Sequence, residues 1–111
     1  MRVTSTLFVA ALVRRCYGQG ATAVVVRHGA DEAGAIFIIV DNLGGSADLY
    51  GPAPQSAFEE ARPSERLFQK IAEGDALDAI TTQLERETRF DPDLWIVAIE
   101  DRNGRVFFDV G

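Results

Sequence analysis

The sequence predicts an α+β domain: a mainly antiparallel sheet with two helices packed on one face. Three observations lead there. Runs rich in β-branched residues outnumber the stretches with helical periodicity, they do not alternate with them, and the connections between the early ones are too short for crossovers. The expected order is helix, three or four strands, helix, hairpin. At 111 residues the whole chain, 1–111, fits one domain, with 47% hydrophobic and 25% charged residues as in ordinary globular proteins.

Residues 5–19 read as the first helix. On a 100° wheel Phe8, Val9, Leu12, Val13 and Cys16 share one face, and Arg14 and Arg15 fall opposite. Thr4 or Ser5 suits the N-cap, and Gly18 or Gly20 the C-terminal stop. Residues 21–28 read as a strand, followed by a turn through Gly29 and Gly34. Residues 35–41 are apolar at consecutive positions, the mark of a strand covered on both faces or lying centrally under helices. Asn42-Leu43-Gly44-Gly45 is a turn and Ser46–Gly51 a third strand, so the three strands are expected to form an antiparallel meander.

Gly51-Pro52-Ala53-Pro54 stops the sheet. Residues 55–65 are polar and acidic around a single anchor, Phe58. Residues 66–72 fit two periods. Leu67, Gln69 and Ile71 alternate as in a strand, which is preferred, while Leu67, Phe68 and Ile71 also suit a helix. Asp75 is the expected N-cap of a second helix, with Asp78 in its first turn and Leu77, Ile80 and Leu84 on one face. Pro92 ends that helix. Leu94–Glu100 reads as a strand, and Asn103-Gly104 as the hairpin turn to a returning strand at 105–109.

Charge and cysteine content narrow the function classes. The net charge is −6 and uneven: residues 1–30 hold Arg2, Arg14, Arg15 and Arg27 and no acid, and the remainder holds 7 bases against 17 acids. Such a chain is a poor general nucleic-acid ligand, because phosphate neutralisation supplies most of that affinity. The basic first helix leaves a weak, local nucleic-acid contact as one alternative. The single cysteine, Cys16, forms no internal disulfide and fits a reducing compartment. The apolar run 7–13 runs straight into Arg14-Arg15, where a signal peptide would carry small residues, and it is far short of the roughly 20 residues of a membrane span. A cytoplasmic, uncleaved protein that makes no membrane contact is expected.

Several segments resemble a small bacterial family. These are Arg14-Arg15-Cys16, Ala23-Val24-Val25-Val26-Arg27, Gly34-Ala35-Ile36-Phe37-Ile38, Leu49-Tyr50-Gly51-Pro52-Ala53-Pro54, Phe90-Asp91-Pro92-Asp93-Leu94-Trp95 and Glu100-Asp101-Arg102-Asn103-Gly104-Arg105. The family is domain of unknown function 1491. The resemblance spans nearly the whole chain, with Phe-Asp-Pro-Asp-Leu-Trp its most specific part. It implies no activity and carries over no catalytic residue.

The candidate chemistry competes with plainer roles. Arg14, Arg15 and Arg27 form an anion-binding candidate, since guanidinium matches phosphate and carboxylate; the plain role is cations at a helix C-terminus. Asp91 and Asp93 could meet a metal, yet two ligands are too few. As a turn, Asp91 would bond its own backbone two residues on. His28 lacks an identifiable partner for base catalysis. Cys16 lies on an apolar face, where a thiol is inert. Gly44-Gly45 lacks the frame of a phosphate loop. Glu59-Glu60 fits a solvated face. Trp95 suits the core, or an interface anchor if exposed. No catalytic motif is present and nothing calls for a cofactor. The expectation is a non-enzymatic protein-interaction module with a protein partner or a second copy of itself. The alternative is an anion- or small-molecule-binding enzyme subunit built on the three arginines.

Overall fold

The computed structural model describes residues 3–54 and 66–111. Its elements run α1 (Ser5–Gly18), β1 (Thr22–Arg27), β2 (Ile36–Asp41), β3 (Ala47–Pro52), β4 (Leu67–Asp75), α2 (Leu77–Phe90), β5 (Trp95–Glu100) and β6 (Asp109–Val110). The expectations for Phe58 and Glu59-Glu60 lie outside the described residues.

The six strands form one mixed sheet in the order β1-β5-β2-β3-β4-β6. Antiparallel pairs join β1 to β5, β2 to β3 and β3 to β4, while β2–β5 and β4–β6 are parallel. This corrects the expected antiparallel meander. β1 does not pair with β2, because β5 lies between them. α2 supplies the long connection that a parallel β2–β5 pair requires.

The closing hairpin is also corrected. Gly104 takes a left-handed φ of 63° and its amide bonds the Asp101 carbonyl, so the chain does turn there. But both edges of β5 are already taken by β1 and β2, and no returning strand can pair with it. The chain instead crosses below α1, buries Phe108, and pairs only Asp109–Val110 with β4 at the far edge.

The helices lie on opposite faces, not on one. Every residue of β2 from Ile36 to Val40 is buried. Ile36, Ile38 and Val40 pack with Val9, Leu12 and Cys16 of α1, and Phe37 and Ile39 pack with Ile80 and Leu84 of α2. Successive strand side chains point to opposite faces, so a wholly apolar central strand needs cover on both. Trp95, Val97 and Ile99 of β5 join the α1 side, and Leu94 and Ile96 the α2 side.

Thr4 caps α1, its Oγ1 accepting from the Leu7 amide at 3.2 Å. The next amides dock on the turn between β1 and β2: Ser5 N–H donates to the Glu32 carbonyl and Thr6 N–H to that of Asp31, both at 3.1 Å. The buried Ser5 hydroxyl donates to Gly34 O at 2.7 Å. Segment 66–72 takes the strand form, with Phe68 buried and Ile71 exposed, and β4 runs on to Asp75. Asp75 is therefore not the α2 cap; Ala76 holds that position without a side-chain cap.

Candidate functional site

The residues singled out by sequence do not meet in one place. Arg14 is exposed on α1. Arg15, in the last turn of α1, donates through Nη1 to the Phe107 carbonyl. Arg27, at the end of β1, donates through Nη2 to Pro92 O at 2.6 Å. Arg15 lines a cleft under α1, Arg27 a groove beside α2, and Asp91 and Asp93 a third hollow. Arg15 and Arg27 thus line different hollows, with Arg27 bonding the backbone between Asp91 and Asp93, and the three arginines do not line one common cleft.

The third hollow is acidic, bordered by Asp31, Glu32, Asp91 and Asp93. Among the described residues no three acids, histidines or cysteines group closely enough to hold a metal ion. Asp91 makes the turn bond instead: its Oδ1 accepts from the Asp93 amide at 3.2 Å, directly after α2 ends. His28 sits beside this hollow, Nε2 3.1 Å from Asp31 Oδ1 and its ring 4.1 Å from that of Trp95. Hydrogen bonds from His28 and then Thr6 hold the Asp31 carboxyl below its ordinary value.

Trp95 is a core side chain, 2% exposed, with Nε1–H donating to Ala30 O at 2.8 Å. This is the core role expected of it, and the alternative as an exposed interface anchor is corrected by its burial. Cys16 is fully buried, and burial raises its thiol pKa, a shift opposed by Arg15 and assisted by Asp101.

Two surfaces that the sequence did not single out remain. The first is the edge strand β1. Among the described residues no strand covers its outer side, and Val24, Val25 and Val26 are 55%, 43% and 59% exposed. A bulge falls between Val25 and Arg27, and there Val26 joins Ile39, Leu84 and Ile96 in a groove of about 430 Å³. The three valines are visible in the sequence; their place at an edge is not.

The second surface is the cleft of about 1000 Å³ between α1 and residues 105–109, where Arg15 meets Arg66 and Arg105. Arg66 donates to Val3 O at 2.9 Å and lies over the Phe8 ring at 5.6 Å. Arg105 is held by Asp101 and by the Gln19 carbonyl and lies over Phe107 at 5.2 Å. The signal for this clasp was present in the sequence as Asp101 and Arg105 flanking Asn103-Gly104. No described helix is long and apolar enough to cross a membrane.

Comparison with known proteins agrees with this fold. The solution structure of protein Atu0922 from A. tumefaciens is 47% identical, with a TM-score of 0.80 over 90% of this chain and 86% of that one. The crystal structure of a DUF1491 family protein from Caulobacter crescentus CB15 is 34% identical, with a TM-score of 0.80 over 98% of this chain and 99% of that one. An NMR structure of a DUF1491 family protein from the same organism is 34% identical, with a TM-score of 0.79 over 100% and 98%. No curated protein matches the chain. The family described as "Protein of unknown function (DUF1491)" matches residues 3–109, and the chain belongs to that family.

Proposed function

We propose that this chain is a non-enzymatic protein-interaction module of a reducing, cytoplasmic compartment, and that it associates with a second copy of itself through β1. The observation that carries the reading is the open edge with three consecutive exposed valines. An edge strand presents unpaired backbone donors and acceptors, and proteins ordinarily blunt such edges with charge, proline or shortening. The opposite edge, β6, is two residues long. β1 has six residues with neither proline nor charge before Arg27, and its bulge is its one blunting device.

The strand is complementary to itself when paired antiparallel about a two-fold axis at Val24. Val24 then faces its own counterpart on the α2 side, and Ala23 faces Val25 on the α1 side. Charges at the strand ends also match. Glu100 accepts from Thr22 Oγ1 at 3.1 Å, which puts a carboxylate at one end of β1, and Arg27 stands at the other. Antiparallel pairing brings each Arg27 towards the Glu100 of the other copy, twice over.

Sedimentation equilibrium of the wild-type protein and of Val24→Lys tests the reading. A wild-type dimer that Val24→Lys converts to a folded monomer is expected. Arg27→Glu should weaken the dimer, and Arg27→Glu with Glu100→Arg should restore it. A wild-type monomer at several hundred micromolar would end the self-association reading.

A further inference from the structure

We propose that the cleft between α1 and residues 105–109 binds a small carboxylate carrying an apolar tail, an aryl- or alkyl-carboxylate. The inference rests on this cleft alone and is independent of the β1 edge.

The cleft has the two components that such a ligand needs. One is cationic: Arg15, Arg66 and Arg105 line it, and among the described residues Asp109 is its one acid, in a chain whose net charge is −6. Asp101, behind Arg105, is the partner of that cation, whereas Arg15 directs its guanidinium to a backbone carbonyl. The other is apolar: Leu7, Phe8, Phe107 and Phe108 form the walls, and Leu7 is 62% exposed. Ligand sites of this kind pair an apolar lining with a few placed polar groups, in volumes of about 300–1000 Å³.

The donors are held in place before any ligand arrives. Arg105 is fixed by both oxygens of Asp101 and by Gln19 O at the end of α1. Arg15 reaches the other way, from α1 to Phe107 O. These two bonds cross-clip the walls, so the cleft does not have to be ordered on binding. A guanidinium has five N–H donors in a planar fork. Arg15 directs one of them to Phe107, and its exposed fork has others for a carboxylate. The aromatic walls then take the tail, with the carboxylate at the arginine end.

An NMR amide titration tests this directly, with 3-phenylpropionate as probe and the uncharged 3-phenylpropanol as its control. Saturating shifts at Leu7, Ala11, Phe107 and Phe108 are expected with the acid, with the alcohol at least about tenfold weaker, since a charge-assisted hydrogen bond contributes about 1.5–3 kcal/mol. Arg15→Gln should weaken the acid about tenfold on the same grounds. Arg14→Gln, on the same helix but outside the cleft, should not. Equal response to acid and alcohol, shifts mapping to Val26 and Ile96 instead, or no saturation at millimolar acid would overturn the proposal.

Discussion

Arg105 grips Asp101 at both carboxylate oxygens, Nη2 2.8 Å from Oδ1 and Nε 3.1 Å from Oδ2, and the Arg105 backbone amide adds a third bond to Oδ2 at 2.8 Å. Asp101 is 6% exposed, and its amide donates to Asp41 O at the end of β2. The clasp turns the chain after β5 has no free edge left and launches it below α1 towards Phe108.

That geometry dictates a pH response. Hydrogen bonds from the Arg105 side chain, then its backbone, lower the Asp101 pKa from 3.8 to about 2. A carboxyl whose pKa is lower in the folded state stabilises the fold above its unfolded value, and the contribution is lost as pH falls through the folded one. Urea midpoints should therefore be flat in this respect above pH 4 and fall between pH 4 and 2. Asp101→Asn should lower the midpoint at pH 6 and remove that part of the acid dependence. An unchanged acid limb in the variant would mean that other carboxylates carry it.

Gly29 lies against the start of β5. A Cβ there would stand 2.3 Å from Asp93 O and 2.7 Å from the Leu94 carbonyl carbon, both backbone atoms that cannot rotate away. Gly29→Ala should cost about 1–3 kcal/mol, as overpacked sites do. Gly18, at the end of α1, meets nothing within 4 Å, and Gly18→Ala should be neutral or stabilising by up to about 1 kcal/mol through the unfolded chain. Thermal unfolding of the two variants side by side checks the contrast.

Trp95 ties the turn after β1 to the same place. Its indole N–H meets Ala30 O, the Ala30 amide donates to Asp93 O at 2.9 Å, and the His28 ring packs against the indole at a tilt of 41°. Trp95→Phe leaves the Ala30 carbonyl without that donor and a gap in the core, a loss of about 1–3 kcal/mol. Hydrogen exchange should quicken first at Ala30. Uniform loss of protection across the sheet, with no local excess there, would count against this coupling.

How much of this was legible follows from which forces are local. The helical stripe of α1, the wholly apolar β2 and the turn at Asp91 are set by nearby residues, and each was readable. Strand order was not. β5 enters between β1 and β2 through contacts made across most of the chain length, and no local pattern encodes that choice. The same insertion makes β1 an edge and sends the Asn103-Gly104 turn out of the sheet, so the exposure of Val24–Val26 and the cleft at Arg105 were hidden together. Arg15 is legible as a helix-end cation, but its neighbours Arg66 and Arg105 come from distant segments that only the fold brings under α1.

Cys16 gives a further check on the packing of α1. The thiol is fully buried between Leu12 and the sheet, and burial raises its pKa, so both access and thiolate formation are suppressed. Modification by a disulfide reagent at pH 8 should be far slower than for an exposed cysteine and should become complete on adding urea, because reaction then requires the helix to lift from the sheet. Cys16→Ser places a hydroxyl in that apolar site and should cost about 1–3 kcal/mol. Cys16→Ala, which adds no polar group, should cost less. Rapid labelling of the native protein would mean that α1 opens readily. In that case the cleft beneath it would lose one fixed wall, and the acid titration at Leu7 and Phe107 should weaken in parallel.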